Sequence, residues 1–318
     1  MIKTGLIATA GILWVVWVLA LLAFRRRPEL KVGTPREFVM PLAALAIGLW
    51  WWFSRSDWLG NYYLSIYMKA AVINAALLTG LWLISLAKRD AGIMDVAYPM
   101  TAALPVLVLL ARRGSWSPHE IFLAVLVALW STRMSLHIGL RNSGHGEDAR
   151  YAAWRKRFGR NWWWWSFFMI FAMQGVMLWL WSIGLVAAVV VGPQPLGWQH
   201  GLALLLFAVG FGFQTTADLQ LERFKRERTD RSKVLDTGVW ALSRHPNYFG
   251  ESVVWWGFAA LALVHPWGWL ALVCPIYVTW FMSAGSATPM QERYLQKSKP
   301  AYADYMRRVP IFFPWTRP

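Results

Sequence analysis

Charge is scarce in this sequence, and cysteine is nearly absent. Only 15% of the 318 residues are Asp, Glu, Lys or Arg, against about a quarter in soluble domains. By contrast 57% are hydrophobic, and the mean hydropathy is +0.37. The lone cysteine, Cys274, excludes a disulfide framework within the chain. There is no glycine period and no polar tract, which removes the collagen-like and disordered classes. The six histidines are scattered at 119, 137, 145, 200, 245 and 265, without H-E-x-x-H or Cys/His ligand spacing, so no metal site is expected. P-loop and G-x-S-x-G motifs are also missing. Acidic residues number 16 against 32 basic ones, a formal charge of +16.

What the chain does have is long apolar runs. They lie at about 5–24, 38–53, 65–87, 93–111, 119–140, 165–191, 198–220, 248–264 and 266–285. Most approach the ~20 residues needed to cross a hydrocarbon core of about 30 Å. The expected fold is therefore an all-α polytopic membrane protein with about nine transmembrane helices, in a range of about seven to ten. In a soluble protein the positive charge would suggest nucleic acid; here it reports topology, and no nucleic acid is expected. With the N-terminus outside, 26 of the 32 Lys and Arg residues fall in cytoplasmic loops and the C-terminal tail, and four fall outside. The run 5–24 precedes an Arg cluster and lacks a small-residue cleavage site, so it reads as a retained helix. Large polar loops on one side and the lack of an inverted repeat disfavour a transporter. The 24 tryptophans fit interfacial belts and lipid-facing bulk.

Polar chemistry collects in three cytoplasmic segments, 141–160, 221–247 and 289–318, which hold eleven of the sixteen excess charges. Attraction to anionic lipid headgroups accounts for their charge but not for their variety of side chains. In the first, Gly144 to Ala149 formally matches G-x-G-x-x-G/A, yet no strand precedes it, so the dinucleotide fingerprint is rejected. Glu147 and Asp148 instead suit helix capping ahead of Arg150, Tyr151, Arg155 and Arg157. In the second, Asp218 ends a span and Pro246 opens a helix whose first turn is a ready anion site. Asn247, Glu251 and Trp255 follow at four-residue spacing and share one face. A carboxylate one turn inside a membrane helix marks a functional pocket; the structural alternative pairs Glu251 with Arg244 or His245. The third segment is amphipathic and aromatic. It suits an interfacial helix on membrane lipid, or a surface that holds phosphates and stacks a nucleotide ring.

These residues together resemble a known family. Ser243-Arg244-His245-Pro246-Asn247-Tyr248-Phe249-Gly250-Glu251 with Trp255-Trp256-Gly257 is similar to the C-terminal domain of steroid 5-alpha-reductases. It resembles more closely their bacterial membrane relatives, the domain of unknown function 1295 family. The stretches Asp90 to Tyr98 and Gly146 to Tyr151, and the ending Pro289-Met290-Gln291-Glu292-Arg293 with Tyr302, Tyr305, Arg308 and Phe313-Pro314-Trp315, extend the likeness over about 88–318. The resemblance implies a bacterial inner-membrane reductase that binds NADPH from the cytosol and delivers hydride to a carbonyl-conjugated double bond of a lipidic substrate. Its residues 1–60 would be an N-terminal two-helix extension, and 61–318 the catalytic membrane domain, with a cofactor half at about 210–318. By carry-over, Asp218, Arg244, His245, Asn247, Tyr248, Glu251, Tyr294, Tyr305 and Arg308 would surround the cofactor, joined by Arg150 and Tyr151 of the middle motif. Catalysis would rest on Tyr98, Asp95 and Glu251.

One departure concerns the proton donor. Steroid reductases use a Gln–Glu pair from an early membrane helix, assisted by Tyr, whereas here the first glutamine is Gln174 and Glu29 and Glu37 lie in a basic loop. Asp95 and Tyr98, three apart on one helix face, are the substitutes, and Arg133 and His137 would line the same cavity. The plain structural alternative is an Asp95–Arg133 ion pair. The chain also resembles isoprenylcysteine carboxyl methyltransferases in its Arg-His-Pro turn, which would place S-adenosylmethionine in that pocket. A third reading is a lipid-binding membrane protein without chemistry.

Overall fold

A computed structural model describes residues 60–112, 116–144, 146–230, 232–266, 268–285 and 287–315. They belong to the second of two compact units, Trp58–Pro318. The expected N-terminal spans at 5–24 and 38–53 lie outside the described residues. Among the described residues all regular structure is helical. The α-helices are α1 (Gly60–Lys88), α2 (Ile93–Ala111), α3 (Pro118–Asn142), α4 (Ala149–Phe158), α5 (Trp162–Ser166), α6 (Met173–Trp181), α7 (Ile183–Val191), α8 (Trp198–Glu227), α9 (Pro246–Ala260), α10 (Val273–Trp280), α11 (Ala287–Ser298) and α12 (Tyr302–Arg308).

Six helical stretches among the described residues are long and apolar enough to cross a membrane: Ser65–Lys88, Ile93–Ala111, Pro118–Asn142, Ala149–Trp181, Trp198–Glu227 and Gly268–Ser298. The protein is an integral membrane protein. Sequence reading placed seven spans over this region. The difference is the 248–264 run, which forms the 15-residue α9, about 22 Å long at 1.5 Å per residue and too short to cross alone. It is instead buried along most of its length against α8. The 165–191 run is also divided, because helix breaks at Ser182 between α6 and α7.

The caps follow local chemistry. Ser117 and Glu120 make a reciprocal capping box on α3, with Pro118 in its first turn. Asp148 caps α4 through the Arg150 N–H, and Pro246 sits in the first turn of α9.

The tightest packing joins α8 to α9, and glycine makes it possible. A Cβ at Gly210 would lie 2.6 Å from Gly250 O and from Val254 N, and one at Gly250 would lie 2.5 Å from Gly210 O. Only bare backbone permits that approach, the small-residue rule of membrane helices. Gly257 repeats it one pair of turns on, facing Ala203 and Phe207. Because Gly210, Gln214 and Asp218 lie one turn apart on α8, this crossing presses Gln214 and Asp218 against Glu251 and Asn247 of α9. The aromatic core around Trp130, Trp181, Trp255 and Phe258 fills the space beneath them.

The C-terminal segment turns inward more than an interfacial helix would. Tyr302, Tyr305 and Val309 are buried together against Val234, Leu295 and Met306, while Tyr294 and Trp315 remain exposed.

Candidate active site

Three helices bring their polar residues to one place inside the bundle. Glu251 of α9 is 2% exposed. Its Oε2 accepts hydrogen bonds from the Trp130 indole of α3 at 3.0 Å and from Gln214 Nε2 of α8 at 2.6 Å. Its Oε1 accepts one from Trp255 at 2.9 Å, one turn along α9. Three N–H donors thus satisfy a buried carboxylate without a contacting cation, and one acceptor position on Oε1 stays unused. The expected alternative pairing of Glu251 with Arg244 or His245 is not formed.

One turn nearer the polar loops stands Asp218, also buried. Arg133 Nη2 donates to its Oδ2 at 2.5 Å and to Gln214 O at 3.2 Å. His137 Nε2 lies 3.6 Å from the same oxygen, and Asn247 Nδ2 donates to Oδ1 at 3.3 Å. Arg133 therefore pairs with Asp218, and the Asp95–Arg133 alternative is overturned: the register of α3 against α8 gives Arg133 a nearer carboxylate. Tyr98 of α2 lies within electrostatic reach of Glu251, Asp218 and Arg133. It is enclosed by the bundle yet only partly buried, and its hydroxyl makes no hydrogen bond to another described residue.

Asp95 is three residues from Tyr98 but serves a different cluster. It accepts hydrogen bonds from Tyr151 at 2.7 Å and Arg150 at 3.1 Å. Next to it, Glu147 accepts from Ala91 N at 2.9 Å and twice from Arg155, at 2.9 and 2.8 Å. These bonds fasten the segment before α4 to the α1–α2 turn. Burial pushes the Glu147 carboxyl up, but Arg155 and the Ala91 N–H outweigh it and hold the group below the usual glutamate range. The Arg150 hydrogen bonds hold Asp148 low as well. Tyr248 follows Asn247 on α9, its ring stacked on His245 at 5.5 Å, and it feels the charges of Arg141, Asp218 and Arg150. Among the described residues Arg141 donates through Nε to its neighbour Asn142 and makes no other hydrogen bond.

Arg244 and His245 form a third group, 7% and 2% exposed. His245 Nε2 lies 2.8 Å from Glu292 Oε1, which also accepts from the Tyr302 hydroxyl at 2.6 Å. Arg244 Nη1 approaches Glu292 Oε2 at 2.9 Å as an ion contact without hydrogen-bond alignment, leaving Nε and Nη1 without acceptors. Tyr305 donates to Trp240 O at 2.6 Å, and burial pushes its phenol above the usual range. The same holds for Tyr302, where the Glu292 carboxylate adds to the effect of burial. Arg308 pairs with Asp236 at 3.0 Å on the surface, and Tyr294 is exposed.

The structure thus unites Tyr98, Asp218, Asn247 and Glu251, with Tyr248 at the edge. It places Asp95, Arg150 and Tyr151 in a flanking cluster, and Arg244, His245 and Tyr305 in one shared with the tail. Sequence reading missed Trp130, Gln214 and Arg141. Their only linear signal was helical spacing from Arg133, His137 and Asp218. Among the described residues no cluster of three His, Cys, Asp or Glu side chains is arranged to hold a metal.

Comparison of the sequence with known proteins places the chain in a family. The profile of the family described as "Protein of unknown function (DUF1295)" matches residues 81–309. The chain belongs to that family. It is 30% identical over 134 residues to the Delta(14)-sterol reductase TM7SF2 of Mus musculus, covering 37% of this chain and 31% of that protein. It is 31% identical over 106 residues to the steroid 5-alpha-reductase DET2 of Gossypium hirsutum, covering 33% and 39% respectively. A similar match, 29% over 75 residues, joins it to the steroid 5-alpha-reductase DET2 of Arabidopsis thaliana, covering 24% and 27%. The chain therefore spans between 27% and 39% of the length of these curated relatives.

Proposed function

We propose that this protein is a membrane-embedded, NADPH-dependent reductase of a carbonyl-conjugated double bond in a lipidic substrate. The observation that carries the reading is the clustering of Asn247, Asp218 and Glu251, with Tyr98 within their electrostatic reach, inside a bundle whose relatives are sterol and steroid reductases.

The residues present fit such a cofactor. Arg244 carries buried N–H groups without acceptors, and Arg141 has guanidinium N–H groups that bond to no other described residue, both suited to a phosphate. Gln214 Oε1 is a buried acceptor without a donor, and Glu251 has one acceptor position left. Those are the groups a carboxamide N–H would satisfy. In this reading Asn247, Gln214 and Glu251 hold the reactive ring, and Arg141 and Arg244 hold phosphate. Bound NADPH supplies the hydride. Arg133 fixes Asp218, and Asp218 fixes Asn247, so the binding face is set before the ligand arrives. Trp130 and Trp255 keep water from the reacting carbon. Tyr98 donates its proton to the carbonyl oxygen, where negative charge develops as the double bond is reduced.

The test is binding and turnover by the detergent-purified chain. NADPH is expected to bind wild type, with affinity lost in Asn247→Ala. Tyr98→Phe is expected to retain NADPH affinity while reduction of a lipid enone falls about 10²- to 10⁴-fold, the usual worth of a general acid. Binding of S-adenosylmethionine in place of NADPH would turn the assignment to a methyltransferase, and binding of neither would favour a lipid-binding role.

A further inference from the structure

Indole N–H groups in this bundle find acceptors. Trp82, Trp130, Trp179, Trp240, Trp255 and Trp256 each donate to an oxygen at between 2.9 and 3.2 Å. Trp181 breaks the pattern. At the end of α6 and 7% exposed, it is the one tryptophan among the described residues whose N–H is buried without an acceptor. The hydroxyl of Tyr277 on α10, its ring centroid 6.0 Å away, is buried without a partner too. Unpartnered polar groups on two neighbouring rings call for a common explanation.

Their surroundings describe the missing partner. Trp255 lies 6.3 Å from Trp181 and Phe281 lies 5.6 Å from it, both edge-on, and Cys274 and Val278 are buried on α10 to either side of Tyr277. Trp255 also donates to Glu251, so this aromatic box begins one indole beyond the candidate active site. An indole only donates, whereas a phenol donates or accepts. The partner must therefore present an acceptor oxygen on an otherwise apolar body. A ketone or hydroxyl at one end of a lipid satisfies both conditions.

We propose that Trp181 and Tyr277 form the far anchor of the substrate pocket. They would recognise an oxygen at the end of the lipid remote from the reduced double bond. The proposal rests on the reductase reading and narrows its substrate class to apolar molecules with oxygen at both ends. Neither polar atom is accessible, so the proposal requires the box to open on binding. Its two half-buried walls, Tyr277 and Phe281, are the ones that yield, and Phe281 begins a π-helical stretch, Phe281–Gly285, where the helix ladder is already irregular.

The experiment compares two steroid 4-en-3-ones, identical except for a ketone on the ring farthest from the enone, by equilibrium binding to the 318-residue chain in detergent. Wild type is expected to bind the diketone at least about tenfold more tightly, the worth of one or two buried hydrogen bonds. Trp181→Phe and Tyr277→Phe are each expected to reduce that preference, read as the ratio of the two affinities in each variant. Equal binding of the two probes by wild type, no binding of either, or a preference that survives both substitutions would overturn the anchor. The last result would mean that buried water satisfies the pair. NADPH affinity, measured on the same samples, reads the reductase assignment separately. Normal NADPH binding without ketone discrimination fails the anchor alone, and ketone discrimination without NADPH binding fails the reductase reading alone.

Discussion

Glu251 shows how a carboxylate is kept inside a membrane bundle. Its stabilisation is a ring of N–H donors, two indoles and one amide, while the nearby Arg133 is committed to Asp218. Glu251→Gln would turn an amide NH₂ toward at least one of those donors and leave buried groups unpaired. A loss of about 1–3 kcal/mol is expected, read as a lowered Tm in detergent; an unchanged Tm would show that the donor ring carries little of the stability. Asn247→Ala removes a 3.3 Å contact to Asp218 and a 3.0 Å bond from the Tyr248 N–H in the first turn of α9, and it leaves the Glu251 donor ring intact as a probe of ligand binding. The four-residue spacing of Asn247, Glu251 and Trp255 was legible in the sequence because helical period alone puts them on one face. Trp130 and Gln214 were not legible, since their roles depend on which neighbouring helices face α9.

Among elements, the α8–α9 pair decides the site. Their backbones touch at Gly210 and Gly250, and a Cβ at Gly250 would also sit 2.6 Å from Gln214 N. Gly250→Ala forces the two helices apart at the level of Gln214 and Asp218. It is expected to cost about 1–3 kcal/mol and to weaken NADPH binding together with stability. Gly212→Ala, where nothing lies within 4 Å of the added Cβ, is the control and is expected to change Tm little. Equal Tm values for the two variants would mean that the close crossing is not required. Hydropathy located α8 and α9 but suggested a span for α9; only the packing of its buried face reveals a short helix docked on α8.

At the scale of the molecule, the site is framed by loops fastened across long sequence separations, and one fastening is sensitive to pH. Glu147 joins Ala91 and Arg155, and its folded pKa is depressed. A depressed carboxylate contributes fully above its unfolded pKa, near 4.3. The contribution is lost as pH falls through the folded value. Protease resistance of the segment between α3 and α4 is therefore expected to hold at neutral pH and to fail below about pH 4. Glu147→Gln should lower it at neutral pH; a wild-type profile in that variant would assign the fastening to other contacts.

The sequence by itself determined the class of this protein. Runs of apolar residues too long for soluble helices and a basic excess confined to certain loops fix a helical membrane bundle, because backbone in hydrocarbon must satisfy its own hydrogen bonds. The nine-residue motif around Asn247 also gave the family. Tertiary structure decided the partners. Asp218 took Arg133, Asp95 took Tyr151 and Arg150, and Glu292 took Arg244 and His245. Each carboxylate had several candidate partners in the linear chain. The choice among them depended on helix register and on two glycines that let α8 and α9 meet, and neither follows from composition or period.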